Sequence, residues 1–538
     1  MPLQTSTGRT QIEFFCMEQL IGADNPVRVI EAFVEGLDLE EMGFLTPGKS
    51  REGRPAFSSK TLLKLYLYGY QHGIRSSRKL EAECVRNVEV WWLLGRQAPG
   101  YKTISDFRKD NRRAFKAVFR KLVGMLKEWK LIGGNTLAVD SVKIRAQNSK
   151  KNNFTSEKIE RQIAYIDRRL EEFFEEMDQL DQQDSLAEQT RQDWKQVSEK
   201  VQTHMDRRDN YERLGTQLKQ SGQTQISTTD PDARALPLHR NIVEVGYSVQ
   251  TAVDDTHKLV VHNEVTNAND INALSHTALE GKKACGADQI DVLGDAGYHT
   301  GKEIAACEKE GIVTFVAAGK HAAQTHEEFT TDKFEYVPQG HYYICPQGYE
   351  LHTNGQWYER KNSRSPAPEV QYRIQQFKTP ACMSCPVRSQ CTKAKYGRMI
   401  ERSEFQDATD ANDKRVRERR DYYSKRQAIV EHPFGTVKRQ WGFTYTLLKT
   451  IPKVQAETDL IFTCYNLTRC LNILGVKGLL ERIQAFFGLI LGLLRRFSGL
   501  LPPIFQIRAS IVRFALVFLP ELAYVREVFS QTPVLGNY

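Results

Sequence analysis

Apolar residues recur along the chain with two different spacings, and the spacing changes near residue 131. In residues 1–130 they recur every three or four positions, which predicts a helical region. Ser58 can cap one helix, and the apolar face of that helix is formed by Leu62, Leu63, Leu65 and Tyr66. Further helices are predicted from Ser76 onward and from Thr103 to Trp129.

The N-terminal helices carry cations near their starts. Arg75, Arg78 and Lys79 flank the second predicted helix, and Arg108 follows Phe107 in the third. Because phosphates bind at helix N-termini, one interpretation is a helical DNA-binding module. An ordinary helical domain with charged edges explains the same residues, so both interpretations stay open.

The spacing becomes that of a strand in residues 135–146, where apolar and polar residues alternate. Asp140 lies inside this predicted strand, although aspartate is disfavoured in strands. A bend, or a salt bridge to Lys143 or Arg145, would account for it structurally. A functional carboxylate is the other explanation.

A heptad spacing interrupts the strand pattern in residues 155–220. Its apolar positions alternate in steps of four and three and comprise Ile159, Ile163, Ile166, Leu170, Phe173, Met177 and Leu180. The simplest interpretation is an antiparallel helical hairpin inserted into a sheet domain. A dimerising coiled coil is the alternative, because about three heptads are too few to decide between the two.

The strand spacing then resumes, and helices alternate with strands. We expect strands over Asn241–Val253 and Leu259–Val265 around a turn at Thr251–Asp255, a helix over Asn272–Lys283, a strand over Gln289–Leu293, a helix over Gly301–Gly311 and a strand over Ile312–Ala317. This order predicts a mixed sheet covered by helices.

Asp295 follows the predicted buried strand Gln289–Leu293, in a turn with glycine on both sides. In open sheets with helices on both faces, ligands bind beyond the carboxyl ends of the strands. We therefore favour a carboxylate that faces a pocket over an aspartate that only forms a turn.

Four cysteines are grouped in residues 340–395. Cys382 and Cys385 form a Cys-x-x-Cys pair, and Cys345 and Cys391 lie on either side of it. Four thiolates can close a structural zinc site. Reduced cysteines without a metal, in a small β-rich insert, are the alternative.

Composition bounds the class of protein. The 538 residues allow two to four domains, and the net charge of +9 suggests a polyanionic partner. The ten cysteines are mostly scattered, which argues against a secreted disulfide framework. The N-terminus lacks the pattern of a signal peptide, and the apolar run Ala485–Leu494 is too short to cross a bilayer. We expect a soluble cytoplasmic protein.

One acid, Glu431, lies in the basic stretch Asp421–Arg439, which is predicted to be helical. Tyr423, Arg426 and Lys438 recur near helical intervals around it, so these side chains could share one surface. A carboxylate repels phosphate unless a divalent cation bridges the two. A solvated helix with ion pairs is the alternative.

The sequence resembles the DDE transposases of bacterial insertion sequences, most closely the IS eleven-eighty-two branch. The resemblance covers most of residues 1–475. It rests on the segments GRPAFSSKTLLKLYLYGYQHGIRSSRKLE, TISDFRKDNR, LAVDSVKIRAQNSK, VEVGYSVQTAVD, VLGDAGYHTG and IVEHPFGTVKRQWGF. The cysteine group also resembles an insert that is common in this branch.

The resemblance implies a ribonuclease-H-like mixed sheet whose three metal ligands are Asp140, Asp295 and Glu431. It places the Tyr-Arg-Glu-Lys signature of the family on Tyr423, Arg426, Glu431 and Lys438, with one residue more than usual between the arginine and the glutamate. Such a carboxylate cluster holds two Mg²⁺ ions roughly 4 Å apart, or Mn²⁺ in their place. Lys143 and Arg145 are further DNA-binding candidates.

The implied function is to bind the inverted-repeat ends of an insertion sequence, cleave a DNA strand there, and join the freed 3′ hydroxyl to target DNA. The implied partner is double-stranded DNA, bound by a homodimer. Two alternatives stay open: a nuclease that cuts without joining, and a non-catalytic DNA-binding protein derived from a transposase.

The predicted organisation has five parts. They are a helical N-terminal DNA-binding domain over 1–130, a ribonuclease-H-like catalytic core over 131–335 with the inserted hairpin at 155–220, a cysteine-containing insert over 336–400, the remainder of the core with the Glu431 helix over 401–475, and a C-terminal helical segment over 476–538. In the last part, the apolar segment Leu479–Val512 could pack on the core or pair with a partner.

Overall fold

The computed structural model describes residues 16–45, 56–182, 188–239, 242–319, 326–361 and 371–498. The N-terminal region is helical, as the apolar spacing predicts. Its helices are α1 (Val27–Gly36), α2 (Ser59–Gln71), α3 (Ser77–Arg86), α4 (Val88–Leu94), α5 (Tyr101–Asp110) and α6 (Ala114–Glu128). The side chain of Ser58 caps α2 by accepting a hydrogen bond from the N–H of Thr61.

The single helix predicted from Thr103 to Trp129 is wrong, because α5 ends at Asp110 and α6 begins at Ala114. Asn111 lies at the break and is buried. Its amide donates to the carbonyl of Phe107, and its side-chain oxygen accepts from the N–H of Leu45 at 2.6 Å. Asparagine side chains that bond to nearby backbone compete with helix formation, and this one also connects the break to an earlier loop.

A long helical hairpin interrupts the sheet after its first strand. The chain forms β1 (Thr136–Arg145), β2 (Asn153–Thr155), α7 (Ser156–Asp181), α8 (Glu188–Ser221) and β3 (Gln225–Ser227). Apolar clusters join the start of α7 to the end of α8 through Ile159 and Leu214, and their middles through Leu170 and Val197. The two helices are therefore antiparallel, and β2 pairs with β3 at their base.

The core sheet contains β1 together with β4 (Arg234–His239), β5 (Ile242–Asp254), β6 (Val260–Thr266), β7 (Ile290–Gly294) and β8 (Ile312–Val316). Its order is β6-β5-β1-β7-β8, and β4 also pairs with β5. Strands β6, β5 and β1 are antiparallel to one another, whereas β7 and β8 are parallel to β1. Two helices, α9 (Leu274–Cys285) and α10 (Gly301–Lys309), connect the later strands.

The predicted turn at Thr251–Asp255 is wrong, because β5 continues to Asp254. Thr251 pairs with Asp140, and Asp254 pairs with Leu137, so β5 follows β1 along nearly its whole length. These ladder hydrogen bonds outweigh the local turn propensity of the aspartates. The predicted strands at 259–265, 289–293 and 312–317 agree with β6, β7 and β8 within one residue.

A second, smaller sheet follows the core sheet. It is formed by β9 (Glu335–Val337), β10 (Tyr342–Ile344), β11 (Glu350–Thr353), β12 (Tyr358–Lys361), β13 (Gln371–Lys378) and, after the short helix α11 (Arg388–Cys391), β14 (Met399–Ser403). Its apolar core is small and comprises Phe334, Tyr343, Leu351, Phe377 and Ile400.

The chain then returns to the core sheet through α12 (Gln406–Glu418), α13 (Arg420–Phe434), a π-helical segment over Gly435–Gln440, and α14 (Ile451–Ser498). Helix α14 is kinked at Gly475, whose φ is +68°. Beyond the kink, Leu479 and Ile483 are buried in the main apolar core. The start of the predicted segment Leu479–Val512 therefore packs on the protein itself, and its part beyond residue 498 lies outside the described residues.

The N-terminal helices are joined to the core by a buried ion pair. Arg75, which is 5% exposed, bonds to the fully buried Glu457 of α14 at 2.9 Å. Arg108 is also buried and bonds to the hydroxyl of Tyr70. Both arginines are therefore structural and cannot contact phosphate, whereas Arg78 and Lys79 at the start of α3 are exposed.

None of the helices in the described ranges is both long and apolar enough to cross a membrane.

Candidate active site

The parallel pairing of β1 and β7 brings two of the predicted carboxylates side by side. Val139 pairs with Gly294 at the end of this ladder. Asp140 and Asp295 are the next residues on their strands, and neighbouring strands are ~4.8 Å apart. We call this pair, together with Arg426, the carboxyl edge.

Asp140 is held by the helix that covers the sheet. Helix α13 packs on β1, and the guanidinium of Arg426 donates to Oδ2 of Asp140 at 2.9 Å. The predicted alternative, a salt bridge from Asp140 to Lys143 or Arg145, is wrong. Lys143 pairs with Asp270 at 3.2 Å, and Arg145 lies 3.8 Å from Glu244.

The environment of Asp140 makes its ionised form less stable than that of an exposed aspartate. Burial is the largest effect and raises the pKa of Asp140 to about 6, against the opposing charge of Arg426. Asp295 and Asp270 raise the pKa further by repulsion. Carboxylates that repel one another in this way form a site that a cation would stabilise.

Asp295 follows β7 directly and begins a 3₁₀ turn over Ala296–Tyr298. Its Oδ1 accepts a hydrogen bond from the N–H of Gly297 at 2.8 Å, and its side chain is half-buried. The turn chemistry expected from the sequence is therefore present. It fixes the carboxylate beside Asp140, so the structural and functional explanations of this residue are compatible.

Glu431 also lies on α13, and its side chain faces solvent. It is exposed, and its Oε1 accepts a hydrogen bond from Gln427 at 2.7 Å. It lies five positions after Arg426, which is a rotation of roughly 140° around a helix. Within the described part of the chain, no hydrogen bond or ion pair joins Glu431 to Asp140 or Asp295.

Asp270 is a fourth carboxylate near the site, and the sequence patterns did not reveal it. It begins the 3₁₀ turn Asp270–Asn272 after β6 and accepts from Lys143 at 3.2 Å and from Gln250 at 2.9 Å. Gln250 in turn accepts from the hydroxyl of the buried Tyr298. The polar run Asn267–Asn272 after a strand was the available signal.

The remaining predicted DNA-binding residues lie on β1, on α13 and in the π-helical segment that follows α13. Lys438 is half-buried in the π-helical segment, and its pKa is lowered by burial and by nearby Lys143. Tyr423 is half-buried and packs on the main core. The side chain of Arg145 is exposed, while its backbone pairs with the segment after α13 through Thr444 and Thr446.

The four grouped cysteines line one cavity of the small sheet, which we call the cysteine cavity. Cys345, Cys382, Cys385 and Cys391 are all half-buried. The N–H of Tyr349 donates to Sγ of Cys345 at 3.3 Å. Burial raises the pKa of Cys391, and the other three thiols raise it further, so the four sulfurs influence one another.

The donor groups at both places suit the metals expected there. Aspartate oxygens at the carboxyl edge are the ligands that Mg²⁺ prefers, and four thiols suit Zn²⁺. Neither set, within the described ranges, places three ligand atoms within 4.8 Å of one another. A complete coordination shell at either place would require ligand atoms to move closer together.

Comparison with known families gives two matches. Residues 15–110 match the family described as Transposase domain (DUF772), and residues 344–471 match the family described as Transposase DDE domain. The first range covers α1 to α5. The second includes Glu431 and Arg426, whereas Asp140 and Asp295 lie outside it.

Neither the search of curated proteins nor the search of solved structures found a match. The chain is a mixed helical and sheet protein with a helical N-terminal region, which fits an α/β transposase. The two family matches support a transposase, and the DDE domain supports a DNA-cleaving enzyme whose partner is DNA.

Proposed function

We propose that this protein is a DDE transposase that binds the inverted-repeat ends of an insertion sequence, cleaves a strand there and joins the freed 3′ hydroxyl to target DNA. The observation that carries the proposal is the pairing of β1 with β7, which sets Asp140 beside Asp295. The family match at residues 344–471 adds the helix that carries Arg426 and Glu431.

The proposed core is a ribonuclease-H-like sheet. The order β6-β5-β1-β7-β8, with three antiparallel strands beside two parallel strands, supports this assignment. The three acids lie on β1, directly after β7 and on α13. Asp140, Asp295 and Glu431 are the proposed ligands of Mg²⁺, or of Mn²⁺ in its place. The bound ions would neutralise charge on a phosphodiester and activate the attacking oxygen.

The chain itself supplies positioning and positive charge. Arg426 holds the Asp140 carboxylate at 2.9 Å and, with Lys438, is proposed to hold a DNA phosphate. Lys143 lies beside Lys438 and extends the cationic surface. Tyr423 is proposed to contact the DNA strand through its partly exposed ring or hydroxyl.

Glu431 must turn inward for this chemistry, and its surroundings allow that. Its side chain is exposed and is bonded only to the exposed Gln427 in the described part of the chain. We propose that, when DNA binds, cations at the carboxyl edge attract the Glu431 carboxylate, which then leaves its hydrogen bond with Gln427. Active-site hydrogen bonds are commonly incomplete before substrate is bound.

The test is a strand-transfer assay with the full chain, Mg²⁺ and linear DNA that carries the sequences flanking its gene. A transposase gives cleavage at the ends and joined products in a target plasmid. Glu431→Gln should abolish both, while Asp421→Asn should not, because Asp421 is an exposed carboxylate on the same helix. Cleavage without joined products would support the nuclease alternative, and DNA binding without cleavage would support the non-catalytic one.

The proposal has three further parts. They are a structural zinc site, a homodimer on DNA, and DNA binding by the exposed Arg78 and Lys79. The cysteine cavity is proposed to bind one structural Zn²⁺ through Cys345, Cys382, Cys385 and Cys391. Four thiolates leave no open position for substrate, so this ion would stabilise the small sheet rather than take part in the reaction.

A further inference from the structure

Two histidines and a glutamate meet at the edge of the core sheet, where α9 covers β6. His262 and Glu264 are two residues apart on β6 and therefore point to the same face. His276 lies on α9. One ligand atom from each of the three residues lies within 4.8 Å of the other two.

The pairwise contacts in this group are close. Nε2 of His276 lies 2.9 Å from Oε2 of Glu264. The rings of His262 and His276 are perpendicular, with their centroids 6.3 Å apart. The three side chains thus surround one point from two different elements.

His262 has an unsatisfied polar atom. Its side chain is buried, with 7% of the residue exposed, and its Nε2 has no hydrogen-bond partner among the described residues. A buried polar atom without a partner costs free energy. Native proteins keep such groups where a bound water, ion or ligand satisfies them.

We propose that His262, Glu264 and His276 bind one divalent ion of the zinc class. Two imidazoles and a carboxylate are a known protein ligand set for Zn²⁺, and they leave a fourth position for water. Imidazole also suits Co²⁺ and Ni²⁺, whereas Mg²⁺ prefers oxygen ligands. The bound ion would hold α9 against the edge strand of the core sheet.

The charges around the group allow a cation. The positive charges of Lys116 and Arg120 of α6 act on His262, and the negative charge of Glu280 of α9 acts in the opposite direction. Glu264 supplies a second negative charge, and its side chain is 34% exposed, so an ion can enter from solvent.

This site is separate from the carboxyl edge. Asp140 pairs with Thr251 of β5, and Thr251 pairs with Asn263 of β6. Paired residues point to the same face of a sheet, and neighbours along a strand point to opposite faces. His262 and Glu264 therefore lie on the face opposite to the Asp140 side chain.

The experiment is equilibrium dialysis of the full chain against buffered free Zn²⁺, with four proteins compared. These are the unaltered chain, His276→Gln, Glu264→Gln and the control His352→Gln. His352 is matched to His276, because it is similarly exposed (62% against 58%) and its Nε2 lies 3.1 Å from a glutamate, Glu350. Zinc at any other site contributes equally to all four proteins.

We expect the unaltered chain and His352→Gln each to bind one more zinc ion than His276→Gln. In Glu264→Gln, the affinity for that zinc ion should be at least ~10-fold weaker. Zinc should also raise the melting temperature of the first two proteins more than that of His276→Gln. Equal zinc content and an equal thermal shift in all four proteins would overturn the proposal. Neither His276 nor Glu264 is buried, so both variants should fold, and circular dichroism checks this.

Discussion

The carboxyl edge and the cysteine cavity each gather ligand-type side chains, but the protein builds them in opposite ways. At the carboxyl edge, two adjacent strands of a sheet covered by helices set Asp140 beside Asp295. At the cysteine cavity, loops and the four-residue helix α11 bring the thiols together beside five buried apolar side chains.

The two regions should differ in how far their folds depend on a metal. The core sheet is stabilised by a large apolar core that extends from Ile21 to Ile483, so its carboxylates can repel one another without unfolding it. The small sheet buries little apolar area, and segments of this kind often need a metal to fold. Loss of ligands should therefore cost activity in the first region and stability in the second.

The largest expected effect is the loss of catalysis at the carboxyl edge. Asp140→Ala and Asp295→Ala should each lower DNA cleavage by ~10³-fold or more, because the metal supplies several kcal/mol of charge stabilisation. Binding to the DNA ends should persist, since the cationic residues remain. Cleavage assays and gel-shift titrations on the same preparations measure both quantities. Near-normal cleavage by either variant would remove that residue from the site.

The next effect is on the small sheet. Cys382→Ser/Cys385→Ser should lose about one zinc per chain and destabilise the small sheet by ~3 kcal/mol or more, since loss of a metal is among the costliest changes. Limited proteolysis should cut this region first, and metal analysis should show the loss. Cys16→Ser is the control, because Cys16 is exposed and lies outside the group. An unchanged zinc content would contradict the four-thiol site.

The third effect is a dependence of the free energy of unfolding on pH, which arises from a buried carboxyl group away from the carboxyl edge. Asp459 of α14 accepts hydrogen bonds from Gln455 at 2.9 Å and Asn263 at 3.1 Å, and burial raises its pKa to about 7. Between its unfolded pKa near 3.8 and this value, the folded chain keeps a proton that the unfolded chain has released. The free energy of unfolding should therefore fall with rising pH, by up to ~1.4 kcal/mol per unit.

Asp459→Asn mimics the protonated group and should remove that slope, as measured by urea unfolding at several pH values between 4 and 8. Asp421→Asn, at an exposed position, should leave the slope unchanged. An identical slope in Asp459→Asn and in the unaltered chain would show that Asp459 is not the group responsible.

The smallest effect is expected from the helical hairpin. Strands β2 and β3 pair at its base, with Thr155 opposite Gln225, so a four-residue Gly/Asn turn can replace residues 156–224. The hairpin has apolar clusters of its own, and each halving of a loop's length changes the free energy of closing it by only ~0.6 kcal/mol. The shortened chain should keep its melting temperature within a few degrees. Aggregation or loss of the cooperative transition would show that α7 and α8 support the core sheet.

The sequence reveals the parts of the site that local patterns determine. Alternating residues locate β1 around Asp140, and a buried run with glycine locates β7 before Asp295. It does not reveal which way Glu431 points, because one extra residue between Arg426 and Glu431 rotates the side chain around α13. That direction depends on the packing of the whole helix.

Other features depend on contacts between distant residues, which no local pattern records. Asp270 reaches Lys143 across 127 positions, and Arg75 reaches Glu457 across 382. The break at Asn111 is similar, because a contact with Leu45 competes with a local helix preference. In each case, tertiary structure decides between local alternatives of similar energy.

The ion pair between Arg75 and Glu457 would determine how far the cleavage position lies from a DNA sequence bound by the N-terminal helices. Arg75 and Glu457 are both buried, and breaking a buried ion pair costs ~3–5 kcal/mol. The helices therefore cannot swing on a tether. A DNA sequence bound by Arg78 and Lys79 would lie at a constant distance from the Asp140 carboxylate. The rigid connection between the two regions would therefore determine where the strand is cut.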